Sequence, residues 1–329
     1  MIRYWIRKLL SIIPIIIGVN LITFVLFFMV NTPNDMARHQ LGEKHVTQEA
    51  IDVWKHEHGY DLPLLRNPKE TGFKQYTNTL FVKQNLSLLR FDFGQSDQGR
   101  SIGQAIATRM WPSLALAIPS LLIGLAVNIT LALCLTLFHH SWFDRFGTTI
   151  CVSLMSISSL FYIIFGQYVF AKLLKWAPLS GYESGWQAWR FLLLPIAIAV
   201  LSGIGSGVRW YRSLFLEEIS KDYVRTARAK GISDWRILSR HVLPNAFIPI
   251  LTGIVVLIPM LFMGSLIMES FFGIPGLGSY TIDAIAQQDF AIVRSMVYLG
   301  TLTYIVGLLL TDFSYALADP RVRLAGGKD

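Results

Sequence analysis

Charge is the scarcest ingredient of this chain: Asp, Glu, Lys and Arg make up 15% of its 329 residues, where a soluble domain carries about 25%. That shortage argues against a free-standing soluble protein and makes a bilayer the solvent for much of the chain. Cysteine is nearly absent. Cys134 and Cys151 both sit in apolar runs and form no CxxC pair, so no disulfide framework is implied and both read as small packing residues. No Gly-x4-Gly-Lys-Ser/Thr run occurs, and Gly326-Gly-Lys328 is only a tail. Without a phosphate cradle the chain is not expected to bind or hydrolyse ATP itself. A nucleophile elbow and an HExxH pair are missing too, and Glu57 between two histidines lacks the metalloprotease spacing. Catalysis is not expected.

What is abundant is apolar residue, at 53%. A helix needs about 20 apolar residues to cross the hydrocarbon layer. Six stretches approach that length: Leu9 to Val30, Pro112 to Phe138, Phe146 to Leu174, Phe191 to Trp210, Ala246 to Met268 and Ile292 to Leu317. The third and fourth are rich in Ser, Gly and Pro, so five is the alternative count. The first follows the basic start Met-Ile-Arg-Tyr-Trp-Ile-Arg-Lys, is longer than a signal-peptide core and precedes no small-residue cleavage site, so it reads as a retained span.

The net charge of +8 does not indicate nucleic acid, because the basic residues occupy short segments between apolar runs rather than one soluble face. Arg3, Arg7 and Lys8 precede the first span. Eight basic residues lie between Arg209 and Arg240, and Arg321, Arg323 and Lys328 follow the last span. With six spans all three groups fall on one side, which the positive-inside rule makes cytoplasmic, with both termini inside. The loop from Ser270 to Ala291 has acids but no lysine or arginine, as expected outside.

These signals divide the chain into residues 1–30, a cytoplasmic N-terminus and first span; 31–111, an external segment; 112–320, a core of five spans; and 321–329, a cytoplasmic tail. The external segment carries ten basic residues and nine acids, and long loops translocate largely regardless of charge. Its mixed polar and apolar pattern predicts a small folded domain. His39, His45, His56 and His58 fall within it at no standard metal spacing and read as solvated.

The most informative stretch is cytoplasmic, residues 214–244. It reads as two helices at a sharp corner. The first runs to about Lys230, with a basic last turn matching the helix dipole. Gly231 is placed to take the left-handed conformation that stops a helix, and Ser233 to cap the next. On that helix Trp235, Leu238 and Val242 share one face and Arg236 and Arg240 another, and Leu243-Pro244 ends it. Physics alone leaves two readings: a lever that docks in a partner and passes rigid-body motion to the spans, or a basic loop on anionic headgroups.

This stretch resembles the EAA loop of ABC-importer permeases. The pattern Glu-Ala-Ala, three residues, Gly, nine residues, Ile-x-Leu-Pro is matched by Arg225-Thr226-Ala227, Gly231 and His241-Val242-Leu243-Pro244. Arg225, Thr226 and His241 depart from it, yet Asp222-Tyr-Val-Arg-Thr-Ala-Arg-Ala-Lys-Gly231 as a whole is similar to the form in the dipeptide/oligopeptide family. Further markers of that family follow in order: Asp92-Phe-Gly-Gln-Ser96, Trp176-Ala-Pro-Leu-Ser-Gly-Tyr182, Glu269-Ser-Phe-Phe-Gly-Ile-Pro-Gly-Leu-Gly278 and Asp319-Pro-Arg321. The resemblance implies an all-α membrane protein of type I ABC-importer permease architecture, the first of two permease subunits in its system. It implies a homologous second permease, two ATP-binding subunits that use ATP and Mg, and an external solute-binding protein as partners. This chain itself would bind no cofactor or metal. Asp222, Tyr223, Arg225, Thr226, Ala227, Lys230, Gly231, Trp235, Arg236, His241, Leu243 and Pro244 become the expected ATPase-coupling residues. Peptides are the implied cargo, with nickel chelates, antimicrobial peptides or a peptide antibiotic as alternatives within the family.

The resemblance also places Glu269, Pro275, Gly276 and Gly278 at the outer end of the pathway, as gate candidates against the plainer reading of a turn. Asp312, the acid well inside a span, should face the bundle or a wet cavity, either as a structural hydrogen-bonding group or as a substrate contact. Asn20 and Asn128 read as interhelical hydrogen-bonding groups, and Gly203-Ile-Gly-Ser-Gly207 as a surface for close helix approach rather than a nucleotide fingerprint. A stand-alone secondary transporter would show internal repeats and more intramembrane ion-coupling residues. A mere anchor for the external segment would need no coupling motif.

Overall fold

The computed structural model describes residues 2–30, 32–42, 46–68 and 70–318, with side chains over 10–30, 32–42, 46–68 and 70–313. His45, Asp319-Pro-Arg321 and the 321–329 tail lie outside the described residues, as do the side chains of Arg3, Arg7 and Lys8. The described chain is helical. Its one β feature is an isolated bridge between Gln95 and Ser101.

In chain order the helices are α1 (Ile2–Phe24, continued by a π-helical stretch Val25–Val30), α2 (Pro33–Leu41), α3 (Gln48–Glu57), α4 (Lys74–Thr77), α5 (Leu80–Leu89), α6 (Ile102–Leu137) and α7 (Trp142–Met155). They continue with α8 (Ser159–Gly166, then a π-helical Gln167–Leu173), α9 (Ala188–Ile219), α10 (Asp222–Ala229) and α11 (Asp234–Ile237, then a π-helical Leu238–Val242). The last four are α12 (Leu243–Met263), α13 (Leu266–Phe272), α14 (Leu277–Ala286) and α15 (Phe290–Ala318). Five of these segments are long and apolar enough to cross a membrane, and a sixth exists if α7 and α8, bent by 88°, count as one. In place of one straight third span, Phe146 to Leu174, stand two helices at 88°, the geometry of a broken span or of a re-entrant loop. The break falls at Ser156-Ile157-Ser158, where the Ser156 hydroxyl donates to the Val152 carbonyl, 3.0 Å away. Such back-bonding weakens the helix it caps.

Two other expected boundaries move. The second span begins ten residues earlier than its apolar run, at Ile102, and passes through Pro112 and Pro119 without breaking. The fifth ends at Met263, not Met268, because Gly264 turns to φ 71° and α13 starts afresh.

The chain forms two compact units. One joins 1–108 to 283–302, and the other joins 109–282 to 303 onward, so the expected external segment shares a unit with residues from both its flanks. Its core is Phe24, Phe28, Met36, Ile51, Trp54, Tyr60 and Leu80. Threonine hydroxyls start its helices: Thr32 makes a capping box with Asp35, and Thr47 and Thr79 accept from Ala50 and Val82, each worth about 1 kcal/mol. Trp54 Nε1 donates to Gln40 Oε1 at 2.8 Å and ties α3 to α2.

In the second unit α7 packs along α9. A Cβ on Gly205 would lie 2.6 Å from the Cys151 carbonyl oxygen and 2.9 Å from the Met155 nitrogen, backbone atoms that cannot yield. Close approach through the Gly203–Gly207 stretch therefore happens at Gly205, as small residues in membrane helices permit. Gly203 faces open space instead. Gly205→Val should destabilise the purified protein by about 1–3 kcal/mol through overpacking, read as a lower melting temperature in detergent, whereas Gly203→Ala should leave that temperature unmoved.

Candidate functional site

Residues 214–244 form the corner that the sequence predicts, with different internal breaks. α9 runs on to Ile219, and the chain turns at Ser220 and Lys221 before α10. Glu218 holds this turn, paired with the Lys221 ammonium and accepting from the Tyr223 hydroxyl at 2.8 Å. Burial first, and the bond to Glu218 second, push the Tyr223 phenol up to about 12, so it remains a donor.

Gly231 ends α10 at φ 76°. The Gly231 N–H donates to the Arg228 carbonyl at 2.9 Å and the Ile232 N–H to the Ala227 carbonyl at 3.2 Å, the paired bonds of a Schellman stop. Across this turn Arg228 Nε donates to Asp234 Oδ1 at 3.0 Å. Ser233 has the extended backbone of a cap, but its side chain makes no capping bond. Leu243-Pro244 does not end the helix either. The π-helical turn at Leu238–Val242 widens the register just before Pro244 and runs straight into α12. A proline cannot bond to the carbonyl four residues back, and the wider turn absorbs that loss.

The same π turn decides which side chains are buried. Val224, Ala227, Ile237, Leu238 and Val242 join one core with Leu133 and Leu135 of α6, Tyr211 and Phe215 of α9 and Ala246 and Ile250 of α12. The corner is thus fused to three span ends. Trp235, expected on the face of Leu238 and Val242, is instead 55% exposed. It lies among the exposed Asp222, Arg225, Thr226, Lys230, Gly231 and Arg236, while His241 and Leu243 are half-buried and Pro244 is exposed.

One supporting pair escaped the sequence reading. Arg212 of α9 grips Asp144 of α7 with two bonds, Nε to Oδ1 at 2.9 Å and Nη2 to Oδ2 at 2.7 Å, and His139 Nδ1 lies 3.1 Å from the same carboxylate. The signal was the helix start Ser141-x-x-Asp144, whose Ser141 hydroxyl accepts from the Asp144 N–H.

Glu269, a gate candidate, is fully buried. Its carboxylate accepts from the Ser113 hydroxyl at 2.8 Å, the Ser265 N–H at 3.1 Å, the Gly278 N–H at 2.7 Å and the Ser279 N–H at 3.1 Å. Gly276 is buried against that carboxylate, leaving no room for a side chain, and Pro275 is exposed. The segment is therefore a turn wound around an acid. Two family-like stretches meet there, since the Gly181 N–H donates to the Phe272 carbonyl at 2.8 Å. Asp312 is half-buried in α15. Asn128 does not bond across helices as expected: its amide lies on Gly207, and its Oδ1 has no hydrogen-bond partner.

In the other unit, the Asp97 N–H donates to Asp289 Oδ2 at 2.9 Å. Burial first, and the Asp289 charge second, raise the Asp97 carboxyl to about 6, against the pull of His58 and Gln40. His56 Nδ1 lies 3.3 Å from Asp61. His58 bonds the Trp54 carbonyl and stacks on the Trp54 ring. Arg294 of α15 lies over the Phe28 ring at 5.6 Å, its Nε and Nη1 shielded and without partners.

Five long apolar helices and a bent sixth pair, with a polar-faced corner rooted in the helix ends, are the architecture of a polytopic membrane protein. Two family models match it: the binding-protein-dependent transport system inner membrane component over residues 128–324, and the N-terminal component of the same system over 1–108. The chain belongs to this family, the one its 214–244 motif resembles. It is a permease subunit of an ABC importer, a multi-pass inner-membrane component that is not itself an ATPase and works with ATPase and binding-protein partners. A protein of Brucella abortus (strain 2308), provisionally named a peptide transport system permease, is 31% identical over 96% of this chain and 98% of its own length. The glutathione transport system permease of Salmonella typhimurium (strain LT2) is 30% identical over 98% of this chain and 99% of its own. A solved structure of the MetNI methionine ABC transporter in inward facing conformations aligns at 16% identity and TM-score 0.49, over 64% of this chain and 96% of that one.

Glu269→Gln puts an NH2 group among four donors and should cost about 1–3 kcal/mol, read as faster proteolysis or hydrogen exchange across 264–279. Asp97 predicts a pH effect. Its native pKa of about 6 lies above the ordinary 3.8, so between those values the unfolded state gives up its proton first and the unit loses stability as pH rises. Protection factors of α3 amides, taken against the intrinsic exchange rate at each pH, should fall from pH 4 to 7, and Asp97→Asn should flatten that fall.

Proposed function

We propose that this chain forms one half of the pore of an importer that carries small peptides into the cytoplasm, and that force enters it through the corner at Gly231. The carrying observation is the two-sided construction of that corner. Its apolar side belongs to the same core as the ends of α6, α9 and α12, so a push on it moves spans rather than a loose loop. Its other side leaves an exposed tryptophan among charges of both signs. Aromatic residues and arginine are the types enriched where proteins dock, and a tryptophan anchor commonly dominates such a contact.

Asp222, Tyr223, Arg225, Thr226, Ala227, Lys230, Gly231, Trp235, Arg236, His241, Leu243 and Pro244 are then the coupling segment. Within it Ala227, Tyr223 and Leu243 root the corner, while Trp235, Arg236 and Arg225 meet an ATP-binding subunit. Two such subunits, a homologous second permease and an external solute-binding protein complete the system. The basic residues between Arg209 and Arg240 support a cytoplasmic corner, on the same side as both termini. In this arrangement Glu269 acts by holding the 264–279 turn in shape, with Pro275 at its surface, rather than by touching cargo. Peptides as cargo are supported by the relatives named for peptide and glutathione transport, which match nearly end to end.

Gly231→Val forces a β-branched residue into the left-handed region at a cost of about 1–3 kcal/mol. In proteoliposomes holding the complete importer, peptide uptake per ATP hydrolysed should fall several-fold while the subunits still co-purify. Undiminished uptake would remove the lever. Trp235→Ala should weaken retention of the ATP-binding subunits by about 2 kcal/mol or more, measured by titrating the purified permease pair with them.

A further inference from the structure

The unit built from residues 1–108 and 283–302 holds two cavities that share a wall. The larger, of about 450 Å³, lies between the end of α3 and the loop at 95–99, inside the range of about 300–1,000 Å³ typical of small-molecule sites. The smaller, of about 150 Å³, lies between α2, α3 and the start of α15. Asp97 and Tyr60 line both. The larger carries Glu57 and Asp97 but no lysine or arginine, and Met36, Trp54 and Phe290 give the smaller an apolar side.

Acids in a hollow do not by themselves make a site, but Tyr60 adds a second, independent feature. Its side chain is nine-tenths buried, with the ring held edge-on by Phe28 and flanked by Trp54. Among the described residues no hydrogen bond engages its hydroxyl, yet that oxygen is not one of the sealed polar atoms. It therefore opens onto the space the ring lines and can accept a hydrogen bond there. Asp97 offers the complement. Its backbone N–H is taken by Asp289, while its carboxylate has about four acceptor positions and one side-chain donor, Gln40. No lysine or arginine pairs with it among the described residues, and His58 has its Nδ1 on the Trp54 carbonyl at 2.9 Å. Burial first, and the Asp289 charge second, hold the Asp97 carboxyl at about 6, a value that a cation beside it would lower. No three potential metal ligands converge among the described residues, so the cation that fits is an organic one.

We propose that Asp97 and Tyr60 form a receiving site for the N-terminal ammonium of an arriving peptide. Its first side chain enters the smaller cavity and its backbone lies in the larger. The proposal rests on the peptide reading above. An ammonium brings three donors and no acceptor, and the Asp97 carboxylate and Tyr60 hydroxyl face it where the cavities meet. Every unmodified peptide carries that group whatever its sequence, so one site serves many cargoes. Met36, Trp54 and Phe290 favour an apolar first residue. The competing source of the same chemistry is a lysine of the solute-binding protein.

The test uses the complete importer in nanodiscs without its solute-binding protein, with leucylalanine as probe and N-acetylleucylalanine as its uncharged counterpart. Leucylalanine at saturation should slow hydrogen exchange at residues 57–60 and 95–99, and the acetylated peptide should not. In equilibrium dialysis Asp97→Asn should weaken leucylalanine binding about tenfold. Tyr60→Phe, which keeps the ring in its core, should weaken it about threefold. If Asp97→Asn fails to assemble, Tyr60→Phe and the acetylated peptide decide the matter. No slowing at those residues, equal slowing by both peptides, or wild-type affinity in the variants overturns the site. Should Asp97→Asn instead weaken capture of the empty solute-binding protein about tenfold, with leucylalanine slowing nothing, the ammonium belongs to that protein and the peptide assignment falls. A wild-type importer that takes up no small peptide, given its binding protein and ATP, overturns the peptide reading itself, a result distinct from the others.

Discussion

Where this chain leaves a helix, many of the freed backbone groups find partners inside the protein, the only source of partners wherever hydrocarbon surrounds the break. Much of its architecture answers that constraint. Glu269 gathers three backbone N–H groups and a hydroxyl around the turn at 264–279. The Schellman bonds at Gly231 close α10 with backbone alone. Asp144 accepts from the His140 N–H as well as from Arg212, tying the loop before α7 to α9. At Pro244 the answer is a wider helical turn rather than a side chain.

The same economy separates rigid parts from open ones. Close packing at Gly205 brings the backbone of α9 against the backbone of α7. Two residues earlier, Gly203 faces empty space. One glycine-rich stretch therefore meets two environments, and only the direction each Cα faces tells them apart.

The coupling corner shows how far residue patterns reach. Gly231 could be read as a left-handed stop because few residues other than glycine adopt that conformation cheaply and the flanking pattern was helical on both sides. Trp235 was misplaced because the reading gave a single helical face to a segment that is α-helical over Asp234–Ile237 and π-helical over Leu238–Val242, and Ile237 rather than Trp235 joins Leu238 and Val242 in the core. A change of helix type within a segment is invisible to periodicity. The break between α7 and α8 was missed for a related reason, since Ser156-Ile157-Ser158 is equally compatible with a kinked helix and with a turn.

Hydropathy, charge placement and the spacing of a few punctuating residues determined from sequence alone that this is a helical membrane protein, roughly where it crosses, and which segment forms the corner. These are local sums, and local sums survive without knowledge of neighbours. Tertiary structure alone decided that Glu269 is sealed within a turn, that Asp144 and Arg212 meet, that the Asn128 Oδ1 lacks a partner, and that the 31–101 segment shares its unit with residues 283–302. Each depends on which groups from distant parts of the chain arrive together, and in a low-dielectric interior that meeting, rather than residue type, fixes what a polar group can do.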